Sequence, residues 1–140
     1  MIQLKTRWAD TVSTVAPLPE YPRPNMVRDS YLNLNGLWNY TVQDGEEYTK
    51  NKTGTIVVPF SPESLLSGVD RVVAPGDTLW CRRTFTVPPE FKKDRVILHF
   101  GGVDQKAEVI LNDRLLGEHE GGYESFSFDV TDALQEENHL

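Results

Sequence analysis

The sequence predicts an all-β sandwich, and three observations carry that prediction. Short apolar runs rich in β-branched and aromatic residues recur, roughly eight of them along the chain. Turn-forming residues separate many of them, as at Asn35-Gly36, Asp44-Gly45, Pro88-Pro89 and Asn112-Asp113. Almost nothing follows a helical apolar period. With 140 residues and 39% hydrophobic content, the chain is long enough to bury most of its apolar surface in one core. No internal repeat or low-complexity tract is visible.

Residues 1–27 read as an extended arm. Pro17, Pro19, Pro22 and Pro24 each remove an amide donor and push the preceding residue toward extended geometry. A disordered tail is the other outcome, but Trp8, Leu18, Tyr21, Met26 and Val27 offer apolar side chains that could lie across a sandwich. Leu37 to Gln43 then alternates Trp38, Tyr40 and Val42 with Leu37, Asn39 and Thr41, as a half-buried strand requires. Glu46 to Lys52 is a polar loop. Gly54 to Val58 is a short strand stopped by Pro59.

Phe60 to Gly76 is a long irregular connection with one helical turn expected near Glu63 to Leu66, and its length suits a surface of interest. Thr78 to Val87 is the next strand, interrupted on its apolar face by Arg83. Val96 to Phe100 is strongly apolar and is expected to be central. Lys106 to Leu111 turns at Asn112-Asp113 into Arg114 to Gly117. A charged, Gly-rich loop from Glu118 to Tyr123 follows, then a strand from Ser125 to Val130 with Phe126, Phe128 and Val130 on one face. Thr131 is a plausible helix N-cap. Glu136 to Leu140 reads as a turn entering one more strand, so the sandwich is expected to lack its last strand or strands.

The net charge of -7 argues against binding DNA or an anionic membrane, because neither phosphates nor lipid headgroups would be neutralised. No apolar run reaches the length of a membrane-spanning helix. The N-terminus lacks the apolar core of a signal peptide, which favours the cytoplasm. The single cysteine, Cys81, excludes an internal disulfide and is expected to be a buried, unreactive thiol.

Chemistry is sparse. Glu118 and Glu120 are two apart and invite comparison with the carboxylate pairs of glycoside hydrolysis, but solvated acids on an exposed loop are the commoner case. His119 between them, with the same acids, is too small a set to hold a metal, and no HExxH or Cys/His spacing occurs. Gly101-Gly102 and Gly121-Gly122 adjoin strands rather than opening a helix, so they serve turns and bulges, not phosphates. No Gly-x-Ser-x-Gly elbow is present. No cofactor site is predicted. Tyr123, in the loop, is the aromatic residue best placed to stack on a sugar; the strand tryptophans Trp38 and Trp80 more often pack in a core.

In chain order, several motifs carry a resemblance. Arg28-x-Ser30 with Leu34-Asn35-Gly36-x-Trp38 resembles the opening of family 2 glycoside hydrolases, the group of β-galactosidases, β-glucuronidases and β-mannosidases. Val58-Pro59 and Trp80-Cys81-Arg82-Arg83-x-Phe85 are similar to that family's next segments, with Cys81 where tyrosine is commoner. Phe100-x-Gly102-Val103-Asp104, Val109-x-Leu111-Asn112, Gly117-x-His119-x-Gly121-Gly122-Tyr123 and Phe128-Asp129-Val130-Thr131 continue it. Each piece is weak alone; the order is what makes the resemblance specific. Asp113 departs from the family, which often has glycine there.

The resemblance implies a jelly-roll, galactose-binding-domain-like sandwich over residues 28–140. In the family this is the non-catalytic N-terminal sugar-binding domain of a retaining β-glycosidase that hydrolyses O-glycosyl bonds. An immunoglobulin-like domain and a (β/α)8 barrel follow, and the barrel carries the catalytic glutamates, one in an Asn-Glu pair. No Asn-Glu pair occurs here. No catalytic residue is therefore expected in this chain, and Glu118, His119, Glu120 and Tyr123 are expected at the rim of a substrate pocket. Expected partners are a carbohydrate substrate, the downstream domains, and a second copy through an unpaired sheet edge. A stand-alone carbohydrate-binding module and a purely structural domain remain the alternatives.

Overall fold

A computed structural model describes residues 6–44, 54–91 and 94–140. The expected polar loop Glu46 to Lys52 lies outside the described residues. All extended segments pair antiparallel, and the only helical segments described are single 3₁₀ turns. No described helix is long and apolar enough to cross a membrane. The chain divides into two compact units, Met1–Arg82 and Arg83–Leu140.

In the first unit, β1 (Gly36–Asp44), β2 (Gly54–Val58) and β3 (Asp77–Arg82) form a sheet in the order β2-β1-β3. The alternation read from the sequence sets the register: Trp38 stands opposite Ile56 and Thr41 opposite Trp80. Ile56, Val57 and Thr41 are buried. Trp38 keeps its ring partly covered because its indole N–H donates to the Leu34 carbonyl at 2.8 Å.

Residues 6–35 form no strand; their regular segments are turns at Ala9–Thr11 and Pro24–Met26. The arm is held through its carbonyls: Asn33 Nδ2 donates to Leu18 O at 3.0 Å, and Asn35 Nδ2 to Pro17 O at 3.3 Å. Trp8, Leu18, Met26 and Val27 remain exposed, contrary to the expectation that they lie on a sandwich. Of the arm's apolar candidates, Tyr21 is half-buried and meets Tyr31 edge-on at 4.6 Å.

The long connection is tied to itself. Its helical turn forms at Leu65–Ser67, capped by Ser64 Oγ, and Glu63 Oε1 accepts from Val73 N at 3.2 Å. Cys81 is not buried as expected. It keeps solvent contact on β3, while crowding around its sulfur pushes the thiol up to about 11, so it stays neutral and inert.

The second unit holds three ladders. β4 (Thr84–Phe85) pairs with β9 (Asn138–His139), β5 (Ile97–Phe100) with β8 (Phe126–Asp129), and β6 (Lys106–Leu111) with β7 (Arg114–Glu120). The strand expected over Thr78 to Val87 is broken at Arg83, whose backbone N–H and C=O both bond to Leu140. β5 is half-buried rather than central; its paired partner among the described residues is β8. Val109, Leu111 and Val130 form the buried apolar centre. Thr131 caps no helix; its hydroxyl accepts from Val96 N and donates to Asp129 Oδ1, joining the ends of β5 and β8.

Candidate functional site

The β6–β7 hairpin positions the candidate residues. Its two-residue turn, Asn112-Asp113, has positive φ at both positions (52° and 64°), the primed geometry that matches strand twist. A register shift between Val109 and Ile110 marks a bulge. β7 then runs on through Glu120, so Glu118, His119 and Glu120 lie in a strand, not in the loop the sequence suggested. The loop proper is short and begins at Gly121. The residue pattern contains the reason: Glu-His-Glu alternates with period two, and the strand runs on past the bulge and Gly117.

That alternation splits the candidates. Glu118 and Glu120 are exposed on one face, and His119 is half-buried on the other. Glu118 Oε2 lies 3.4 Å from Lys106 Nζ, with both side chains largely exposed, so the pair contributes little to stability. Neither acid is buried among the described residues. These are solvated acids.

His119 faces inward onto aromatic rings. Its imidazole stacks on Phe126 with centroids 4.1 Å apart and planes 16° from parallel. Phe126 in turn stacks on Phe100 at 4.8 Å and meets Phe128 edge-on at 5.8 Å. His119 Nε2 lies 3.1 Å from the Gly121 carbonyl. A carbonyl only accepts, so Nε2 carries the hydrogen in this bond. The Gly121 N–H donates to Gln105 O at 2.8 Å. Gly122 packs so closely on Asp104 that a Cβ there would stand 2.5 Å from Oδ1. Tyr123 emerges from this braced segment fully exposed.

Sequence reasoning missed a second feature, an amide cluster at the turn end of the hairpin. Asn138 is fully buried, and its side chain is fully used. Its Oδ1 accepts from Asn112 Nδ2 at 3.0 Å and Gln135 N at 2.8 Å; its Nδ2 donates to Gln135 O at 3.1 Å and Phe85 O at 3.4 Å. Asn112 also donates to Ala133 O at 2.7 Å and accepts from His139 N at 2.8 Å. Asn112 reads as a turn residue from its place before Asp113, but nothing about Asn138 in isolation marks it as buried.

Residues 69–140 match the family model described as glycosyl hydrolase 2 galactose-binding domain-like. The chain belongs to that family. Its fold class is accordingly an all-β, galactose-binding-like sandwich. A β-galactosidase from Thermoanaerobacter pseudethanolicus is 41% identical over 56 residues, which are 40% of this chain and 8% of that protein. A β-glucuronidase from Streptococcus agalactiae is 28% identical over 110 residues, 76% of this chain and 18% of that protein. Among solved structures, the β-glucuronidase of Bifidobacterium dentium, complexed with coumarin-3-O-glucuronide, superposes with a TM-score of 0.62 at 28% identity, covering 76% of this chain and 18% of that one. A β-D-mannosidase from Dictyoglomus thermophilum gives 0.63 at 26% identity, covering 78% of this chain and 15% of that one. The chain thus spans less than a fifth of the length of each of these relatives.

Proposed function

We propose that this chain is the non-catalytic N-terminal sugar-binding-type domain of a β-glycosidase that hydrolyses O-glycosyl bonds. The observation that carries the reading is the family match over residues 69–140. The hydrolytic names of the relatives that share the chain's length only in part support it. In this reading residues 1–27 are an arm and residues 28–140 the jelly-roll domain. An immunoglobulin-like domain and a (β/α)8 barrel complete the protein, and Glu118, His119, Glu120 and Tyr123 sit at the rim of the barrel's pocket. The exposure of Glu118, Glu120 and Tyr123 near the end of β7 supports a place at a surface for these three. Self-association through an open sheet edge belongs to the same reading; the pairing of strands two by two in the second unit, among the described residues, supports it.

The test is direct. The entire reading frame encoding this chain is expressed and assayed with 4-nitrophenyl β-galactoside, β-glucuronide and β-mannoside, beside the 140-residue chain alone. The full product is expected to cleave at least one with retention of anomeric configuration, and the chain alone none. Failure of the full product on all β-glycosides would overturn the reading.

A further inference from the structure

We propose that the Gly121–Tyr123 loop is a preorganised aromatic anchor for a pyranose ring, in which Tyr123 makes the contact and His119 is a positioning residue. The proposal rests on the reading that the chain serves a carbohydrate-active protein, and deepens it by dividing the rim residues into one that touches sugar and one that does not.

Three constraints fix the loop. His119 Nε2–H donates to Gly121 O, Gly121 N–H donates to Gln105 O, and Gly122 lies against Asp104. A fourth comes from the other side: a Cβ on Gly102 would stand 2.8 Å from Gly122 O. Gly102 and Gly122, one from each Gly-Gly pair that resembled turn punctuation in the sequence, are therefore at a close approach that only residues without a Cβ permit. His119 is itself fixed, because its ring is stacked on Phe126 and Phe126 on Phe100. The aromatic stack thus holds the imidazole, and the imidazole holds the loop.

This arrangement leaves His119 poorly suited to meet a ligand, with one nitrogen committed to Gly121 and one ring face on Phe126. Tyr123 is the reverse. It is fully exposed and presents its ring to solvent next to the braced Gly121 and Gly122. A tyrosine anchored this way loses little conformational freedom on binding, since only two side-chain torsions are involved. Its flat apolar face suits the C–H face of a pyranose. The exposed carboxylates of Glu120 and Glu124, on either side of the loop in sequence, supply acceptors for sugar hydroxyls.

The test is an NMR titration of the 140-residue chain with methyl β-D-galactoside and methyl β-D-glucuronide. Saturable shifts are expected at the Tyr123 ring and the Gly121 and Gly122 amides. Tyr123→Ala should weaken binding about tenfold, about 1.4 kcal/mol, with the melting temperature unchanged, and Tyr123→Phe should retain most of the affinity. His119→Ala should weaken binding while leaving Tyr123 in place, and speed hydrogen exchange of the Gly121 amide. His119→Gln, whose amide can again donate to Gly121 O, should restore part of both. No saturable shift with either sugar would overturn the proposal. So would full affinity in Tyr123→Ala, or loop shifts that follow protein concentration rather than sugar. A null titration while the full-length product still hydrolyses β-glycosides would remove the anchor and leave the domain reading standing.

Discussion

At its turn, the β6–β7 hairpin is held by Asn112, whose amide reaches the buried Asn138; at its open end the same hairpin carries Glu118, Glu120 and Tyr123 out to solvent. Both ends are rich in polar groups and glycine or asparagine, so they resemble each other as sequence. They differ in where the polar groups go. At the turn every described hydrogen bond of the Asn138 side chain ends on protein, in a place closed to water. At the open end the backbone is braced but the side chains are released. One end is scaffold and the other is surface, and the difference is one of satisfaction and not of composition.

The largest expected effect tests the scaffold end. Asn138→Ala removes a fully buried amide and leaves the half-buried Phe85 and Asn112 and the exposed Gln135 each short of a partner. Such losses cost the desolvation of each orphaned group and are only partly relieved by entering water, so we expect about 3 kcal/mol of destabilisation. Urea unfolding followed by far-ultraviolet circular dichroism measures it, because the three tryptophans all lie in the first unit. A change under about 0.5 kcal/mol, the range of ordinary surface substitutions, would show that the cluster is not a scaffold and would erase the contrast.

The next effect tests the bracing of the open end. Gly122→Ala places a methyl group against Asp104, 2.9 Å from that residue's Cβ and 2.5 Å from Oδ1. Part of the strain is relieved by moving the Asp104 carboxylate, so about 2 kcal/mol is expected. Gly117→Ala meets the edge of the Phe128 ring at 2.7 Å and should behave similarly. If Gly122→Ala were neutral in thermal denaturation, the loop would not be held as closely as its geometry indicates, and the open end would differ from the turn in rigidity as well as in exposure.

Much of this was legible in the sequence, and the failures have physical causes. Period-two alternation located β1 and β6, and a short apolar run stopped by Pro59 located β2, within a residue or so of their observed ends. Asn112-Asp113 announced its turn because those residues tolerate positive φ. β7 was cut short at Gly117 because a glycine in a strand reads as a stop, whereas here it leaves room for the Phe128 ring. The role of His119 was hidden for a related reason. Flanked by two acids, it looked like chemistry, but its partner Phe126 comes from another strand, and no local spacing reports that contact. Asn138 was hidden more deeply, since its partners lie up to 53 residues away.

A smaller effect follows from acid. Asp129 accepts from the Thr131 hydroxyl and backbone N–H and from Arg95, which together hold its carboxyl down to about 2. Because the folded value is depressed below the ordinary 3.8, the stabilisation is present above that value and is lost as pH falls toward 2. The melting temperature of Asp129→Asn should therefore fall less than the parent's between about pH 4 and pH 2. Asp129 is open to water, so this link belongs with the open end in exposure although it resembles the turn in its bonding. Parallel melting curves for the two proteins across that window would mean that these exposed hydrogen bonds do not stabilise the fold.

The turn itself offers the smallest and most discriminating test. Asn112 and Asp113 share left-handed backbone geometry, φ 52° and 64°, which glycine adopts without steric cost. On backbone grounds alone, glycine should help at both. Asp113 is exposed, so Asp113→Gly should stabilise by about 0.5 kcal/mol, the relief of left-handed strain less the extra entropy of the unfolded chain. Asn112→Gly gains the same relief but loses the amide that bonds Ala133, Asn138 and His139, and should destabilise by about 2 kcal/mol. Opposite signs at adjacent residues of one turn can arise only if the side chain, and not the backbone, is what Asn112 contributes. Equal signs would reduce the turn to a backbone device and leave Asn138 as the whole of the scaffold.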